Sequence, residues 1–546
     1  MILKISKKYL EKNATAEILK ILKKVHSTPA IDGILLPGGT YHFYIDGIFK
    51  KHYFLSNNDE GIKKIAFYVE HRNNFKIIGD HTTLIFHGRI IPFLLQKCQN
   101  IVLSNLEIDF YDDFVSNAEV LNCGKDYTDL AFERPIAVQN QRLVFPVDDP
   151  DWTPVERMTM VKFDRANHSP SADNLVVVCS RNAEYLAPRK VRLPLAFGHP
   201  GDLFAIKHQA RHNPAIVLDH CSNVLIDQVK ICHSGAMGIL AQYCSNINLQ
   251  KIKVTPSRRY RRLVSCSDDA THFVDCRGLI TIHKCLFENQ LDDAINIHGI
   301  YRRASSLSYC IEKTVFLEDV HYQQLGTRCG MPGDILEFIK TDTLKPYGQA
   351  IIKDVEYLGK QLMQVTLDRK LPLSFAPLDC VWNKSAVPQV HISDSIFRNN
   401  RPRGILLSGV KNAVVENNFF HTAAAAIYIS GDTNLWFESG PAENIQICDN
   451  TFDNCYYIQK TSTRSVLDIN PVIQRFSDDF YYHHNITINN NKFISNHDKL
   501  IRANSVDGIE INGNTWIKKN DDCVAKESPI ILKSCKNSKL PEAGKI

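Results

Sequence analysis

This 546-residue sequence predicts an all-β protein: a right-handed parallel β-helix carrying two β-barrel-like insertions. Three observations lead there. A short theme of alternating apolar residues, closed by Asn or Asp and a second short strand, recurs along the chain. Its copies are closely spaced, with 23 residues from Cys221 to Cys244, 22 from Gly409 to Gly431 and 23 from Phe493 to Trp516. Two long segments break this rhythm with a different β-like pattern.

The theme is visible in "CQNIVLSNLEID", "CSNVLIDQVKI", "CSNINLQKIKV" and "CRGLITIHKCLF", and again in "QVHISDSIF", "KNAVVENNFF", "AENIQICDNTF", "HNITINNNKF" and "DGIEINGNTW". Units of about 20–25 residues that end in Asn and a bend describe β-helix coils. Asn tolerates the left-handed backbone of a sharp bend, and stacked Asn side chains can hydrogen-bond along the ladder. A helical solenoid would need a 3.6-residue apolar period, which these segments lack.

This divides the chain into five parts. Residues 1–114 form an N-terminal cap and the first coils, 115–212 the first insertion and 213–300 the central coils. Residues 301–387 form the second insertion, and 388–546 the last coils and a tail. Both insertions contain Pro-Gly-Asp followed by apolar residues, "HPGDLFAIKH" and "MPGDILEFIK", as duplicates of one another would. Insertions between coils fall on one face, often the binding face.

Composition narrows the function classes. Against 59 acidic residues stand 64 Lys and Arg, a net charge of +5 with no basic block, which argues against nucleic acid as a partner. No apolar run reaches membrane-spanning length. The opening "MILKISKKYLEKNATAEILKILKKVHSTPA" is amphipathic and Lys-rich without the apolar core of a signal peptide. The expectation is a cytoplasmic protein, or one whose leader is absent from this sequence. Sixteen cysteines include no C-x-x-C pair, so zinc-ribbon and thioredoxin chemistry lack their spacing. Cys98, Cys221, Cys244, Cys276 and Cys285 fall at strand positions, as small buried hydrophobes would. No cofactor and no metal is expected, and the sequence is compatible with a homo-oligomer.

The chemistry concentrates in "CSDDATHF" and "ENQLDDAINIHG". Asp269 precedes Asp292 by 23 residues, one coil, which would stack the two side chains on neighbouring coils about 4.8 Å apart. Asp293 would face the other way on a regular strand, so both members of the pair can face out only across a bend. Clustered carboxylates raise one another's proton affinity, a cost that acid–base work on a sugar would justify. A carboxylate ladder capped by backbone amides, or a calcium site, is the plainer reading, though "LDDAINIHG" lacks the D-x-D-x-D ligand spacing. His272, Asn296 and His298 flank the cluster and either contact sugar hydroxyls or serve as hydrogen-bonded coil residues. Arg401 and Arg403, in "RNNRPRGILLSG", either hold a ligand and tune a pKa or neutralise the acids. Trp436 and Glu438, in the loop "GDTNLWFESGPAEN", suit stacking on a pyranose and accepting its hydroxyls, or plain loop packing.

Taken together, "FKIIGDHTTLIFHGRIIPFLLQKCQNIVLSNLEIDF", "DATHFVDCRGLITIHKCLFENQLDDAINIHGIY", "RNNRPRGILLSG" and "NNFFHTAAAAIYISGDTNLWFE" resemble glycoside hydrolase family 110, in order from about Pro37 to Trp516. The resemblance implies an inverting exo-α-1,3-galactosidase of the blood group B type, needing no metal. It places Asp269, Asp292 and Asp293 on the family's essential aspartates. One departure stands out. A glutamate expected before the second Pro-Gly-Asp, as proton donor, is replaced in "QQLGTRCGMPGD" by Arg328, which cannot protonate a leaving group at neutral pH. The donor would then be Glu337, Glu318 or an aspartate of the cluster, or the chain would bind galactosides without cleaving them. A polygalacturonase-like enzyme is the other β-helix reading, but its Gly-His-Gly and Arg-Ile-Lys signatures are absent.

Overall fold

The computed structural model describes residues 1–147, 156–208, 211–310, 313–359, 361–459, 461–477, 479–519 and 528–541. The repeated theme winds into a parallel β-helix with three faces. The first stacks Ser245–Gln250, Arg277–His283, Gln389–Ser393, Val410–Glu416, Ala442–Cys448 and His483–Asn489. The second stacks Lys253–Val254, Leu286–Glu288, Ile396–Arg398, Phe419–His421, Thr451–Asp453 and Lys492–Ile494. The third stacks Ile216–Asp219, Ile239–Gln242, Thr271–Val274, Ile295–Ile300, Ile405–Leu407, Ile427–Ile429 and Leu467–Ile469.

Coil length is not constant. Ile216 pairs with Ile239 and Ile239 with Thr271, but Thr271 pairs with Ile295. These are steps of 23, 32 and 24 residues, because bends absorb extra residues while the ladder holds the strands in register.

The interior explains the theme's residue types. Phe287, Phe397, Phe420, Phe452 and Phe493 form one stack along the axis, with successive ring centroids 5.7, 5.1, 5.1 and 5.0 Å apart. Cys98, Cys221, Cys244, Cys276 and Cys285 are all buried, and the Cys221 N–H donates to Cys244 Sγ at 3.3 Å. They pack as small apolar side chains, as expected. At the N-terminal end the helix Thr15–Ser27 buries Ile18, Ile21, Leu22 and Val25, covering the open end of the first coils. Among the described residues no helix is long and apolar enough to cross a membrane.

Both insertions leave the coils where the rhythm breaks. Val115–Cys123 through Leu203–Lys207 build a seven-stranded sheet, with a separate hairpin Ala137–Gln139 and Arg142–Val144. Arg302–Ala304, Thr314–Glu318, Ile335–Ile339, Pro346–Tyr357, Leu362–Leu367 and Cys380–Asn383 close into an antiparallel barrel. The two differ in strand order and in closure, which corrects the expectation of duplicate barrels. What they share is local: each Pro-Gly-Asp turn puts its glycine in the left-handed region, with φ +91° at Gly201 and +96° at Gly333, before a strand begins.

Two kinds of Asn ladder hold the bends. On the outside Asn100, Asn223 and Asn246 pass side-chain hydrogen bonds coil to coil, as do Asn412, Asn444 and Asn485, and all six have φ near +55°. Inside, Asn418, Asn450, Asn491 and Asn514 are buried. Asn450 accepts from the N–H of Asn418 at 3.0 Å and donates to the Val415 carbonyl at 2.8 Å. Removing a buried rung strands its partners, whereas water replaces an exposed one. Asn450→Ala is expected to lower unfolding stability by about 2–3 kcal/mol, and Asn444→Ala by less than about 1 kcal/mol beyond its backbone strain. Urea titration of both variants checks the contrast.

Candidate active site

Asp292 and Asp293 lie on the corner between the second-face strand Leu286–Glu288 and the third-face strand Ile295–Ile300. A corner lets adjacent side chains share a side, which a straight strand forbids. One coil below, Asp268 and Asp269 occupy the matching corner before Thr271–Val274. Since the register here is 24 residues, Asp269 lies level with Asp293 rather than with Asp292. It accepts the Asp293 N–H through Oδ1 at 2.9 Å. The signal was in the sequence: Asp-Asp-Ala occurs at 268–270 and again at 292–294.

Carboxylate oxygens of Asp269, Asp292 and Asp293 all lie within 4.8 Å of one another. Such an arrangement could embrace a cation, but here two guanidinium groups supply the positive charge. Arg403 grips Asp293 with Nε and Nη2, both at 2.8 Å, and adds its backbone N–H at 3.2 Å. Arg211 donates from Nη2 to Asp292 at 2.5 Å and from Nε to Asp268 at 2.8 Å. Lys207 joins at Asp268, 2.6 Å away. Burial alone would raise Asp268, but Lys207 and Arg211 outweigh it and bring the carboxyl down to about 2. Burial pushes Asp293 well above the usual carboxylate range, with Arg403 opposing it and the Asp292 charge adding to it, but the two-pronged Arg403 grip is the stronger guide to its state. The planar fork of hydrogen bonds is that of an ionised carboxylate. Burial and the neighbouring Asp292 also push Asp269 well above the usual carboxylate range.

Asp292 faces a cavity of about 290 Å³. Its side chain is 20 % exposed, against 2 % for Asp269 and 1 % for Asp293, so it is the member of the cluster that a ligand meets. Glu438 also lines the cavity. It sits in a short strand paired antiparallel with Gly299–Ile300, and its Oε1 accepts from Asn296 Nδ2 at 3.1 Å. Trp436 reaches the cavity from a loop that Asp432 secures by accepting the N–H groups of Asn434 and Trp436, each at 2.7 Å. The residue is 42 % exposed, with the His321 ring of the second insertion 5.0 Å from its own. Arg401, Pro402 and Arg403 form another part of the lining.

Of the two readings of His272 and His298, the geometry gives the hydrogen-bonded coil residues. Both are buried behind the carboxylates, and neither lines the cavity among the residues bordering it. His272 Nδ1 meets Asp269 Oδ2 at 2.6 Å, its Nε2 meets His298 Nε2 at 2.9 Å, and His298 Nδ1 meets the Gly299 carbonyl at 2.7 Å. They stand on the same face of the ladder as Asn296, since His272 pairs with Asn296 and His298 follows it by two residues, and His298 Nε2 comes within 3.9 Å of Glu438 Oε1.

The alternative proton donors are elsewhere. Glu337 is held by Lys384 at 2.6 Å and Trp382 Nε1 at 3.0 Å. Glu318 stands on the barrel wall opposite Arg303. Arg328 donates its backbone N–H to the Tyr243 hydroxyl at 2.7 Å and is not among the residues bordering the cavity. Sequence reading missed Arg211, Asp268, Asn57, Asn174, Thr461 and Ser462. Asp268 was legible in the repeated Asp-Asp-Ala. The others come from four distant stretches, and no local pattern marks them.

Two family models match the chain: "GLAA-B beta-barrel domain II" over residues 314–381 and "Right handed beta helix region" over 380–538. The chain is 31% identical over 541 residues to "Alpha-1,3-galactosidase B" of Phocaeicola vulgatus, covering 94% of this chain and 90% of that protein. It is 30% identical over 499 residues to "Alpha-1,3-galactosidase A" of Shewanella woodyi, covering 89% and 81%. "Alpha-1,3-galactosidase B" of Bacteroides thetaiotaomicron is 28% identical over 542 residues, covering 96% and 87%. At this identity and coverage, the chain belongs to the family of the α-1,3-galactosidases A and B.

Proposed function

We propose that this protein is an exo-acting α-1,3-galactosidase that releases terminal galactose in a single, inverting displacement. The observation that carries the reading is the Asp292 carboxylate, paired with Arg211 and facing a cavity that also has a tryptophan on its wall. A cavity of about 290 Å³ suits one terminal sugar rather than a chain lying in a groove. Trp436 offers an aromatic face to the apolar side of a pyranose, while Glu438, Asn296 and Arg401 offer polar groups for its hydroxyls.

The roles follow from exposure and pairing. Asp292 is the only cluster member open enough to take a proton from a water molecule, so it is the general base. Asp293, locked by Arg403, positions that water and fixes the corner. Inverting hydrolysis needs its acid and base roughly 6.5–9.5 Å apart, with room for water between sugar and base. The three clustered carboxylates lie within 4.8 Å, so the cluster cannot supply both. Glu438 is the remaining carboxylate on the cavity wall among the described residues and is assigned the proton donor. That assignment accommodates Arg328 in place of a glutamate without making the protein a binder alone.

Asp292→Asn is expected to abolish galactose release from an α-1,3-linked disaccharide, by at least roughly a thousandfold in kcat, while circular dichroism stays unchanged. Near-normal turnover would remove the base assignment. The first sugar formed by the wild type, followed by proton NMR before mutarotation, should be β-galactose; α-galactose would exclude a single displacement. Glu438→Gln should cost at least roughly a hundredfold on a disaccharide and far less on an aryl galactoside whose leaving group needs no proton. Equal losses on both substrates would make Glu438 a binding residue.

A further inference from the structure

The hydrogen bonds behind the cluster fix a proton count. Asp269, His272 and His298 form a chain of three contacts: Asp269 Oδ2 to His272 Nδ1 at 2.6 Å, His272 Nε2 to His298 Nε2 at 2.9 Å, and His298 Nδ1 to the Gly299 carbonyl at 2.7 Å. Three hydrogen bonds need three hydrogens. Two neutral imidazoles supply two, and an ionised aspartate supplies none. The carbonyl at the end only accepts, so the His298 Nδ1 must donate to it. With that ring neutral, its Nε2 accepts, His272 Nε2 donates, and His272 Nδ1 is bare. A bare ring nitrogen and a bare carboxylate oxygen do not sit 2.6 Å apart.

We infer that Asp269 carries this third hydrogen at neutral pH and acts as a positioning residue rather than as a base, its protonation state set through two histidines by the Gly299 carbonyl. The inference deepens the reading of the site as a galactosidase centre and rests on it. The surroundings agree. Asp268, Asp292 and Asp293 face Asp269 from the two corners, Arg211 pairs with Asp268 and Asp292, and Glu438 Oε1 lies 3.9 Å from His298 Nε2 at the far end. Burial brings His272 down to about 3, with Arg211 adding to the effect, and His298 down to about 4, so the hydrogen rests on the carboxyl. The cluster then presents two charges, on Asp292 and Asp293, to two guanidinium groups. The other oxygen of Asp269 stays free to accept the Asp293 N–H, which aims the neighbouring base.

Asparagine reproduces a protonated aspartate here, because its amide can donate to His272 Nδ1 while its carbonyl accepts from Asp293. Asp269→Ala is therefore expected to lose at least roughly a hundredfold in kcat, and Asp269→Asn to recover at least roughly tenfold of that loss. A folded Asp269→Asn as inactive as Asp292→Asn would overturn the inference and leave the Asp292 assignment standing. Active Asp292→Asn would instead sink the reading of the site itself. Nitrogen-15 NMR of the histidines in the wild-type protein provides a test that needs no folded Asp269 variant. Neutral rings, with hydrogen on Nε2 of His272 and on Nδ1 of His298, are expected; a doubly protonated His272 would contradict it.

Discussion

Coil-on-coil registry is the constraint from which the rest of this molecule follows. A parallel ladder does not let one strand slip without turning every side chain to the wrong face. Once Thr271 is paired with Ile295, the corner residues before those strands have no freedom. Asp-Asp-Ala is then stacked on Asp-Asp-Ala, and three carboxylates meet within 4.8 Å. Two like charges at that separation repel by about 3–4 kcal/mol at an effective dielectric near 20. Three such pairs would consume a large part of the roughly 5–15 kcal/mol by which a domain is stable.

Two arginines and one proton relieve that strain, and each comes from a different part of the chain. Arg211 arrives as the chain returns from the first insertion. Arg403 lies on the coil that resumes after the second, where Ile405 pairs with Ile295. The insertions therefore do more than wall the cavity: their return points deliver the counter-charges without which the corner could not be buried. The proton on Asp269 removes two of the three repulsive pairs and leaves one negative charge for each guanidinium. Asp292 remains the charge with access to solvent, which is what a base that must meet water requires.

The architecture was legible because repetition is a sequence property. Phe, Asn and Cys recur at the same place in each unit, and they became the aromatic stack, the bend ladders and the packed interior. The site was partly legible for the same reason, since Asp269, Asp292, Asp293, Arg403, Trp436 and Glu438 all border it or lie within it. Two things escaped. The 23-residue step seen elsewhere was carried over to Asp269 and Asp292, although the recurring Asp-Asp-Ala already marked a 24-residue coil. His272 and His298, open between sugar contacts and hydrogen-bonded coil residues, share the face of Asn296 but are buried and bonded to Asp269 and to each other. Arg211 and Asn57 carry no local mark, because only the closed coil brings them to the pocket. The two insertions looked alike through their shared Pro-Gly-Asp, a turn signal that says nothing of strand order.

The central claim is that the Asp-paired corner is where a terminal sugar is held and attacked. A crystal structure of the protein with galactose tests it most directly. The account predicts the sugar in the cavity beside Trp436, with its anomeric hydroxyl within hydrogen-bonding distance of Asp292 and a second hydroxyl on Glu438 or Asn296. Galactose bound instead in the cavity of about 330 Å³ between the barrel and the coils, lined by Tyr301, Trp382 and Tyr482, with the aspartate corner left vacant, would contradict it.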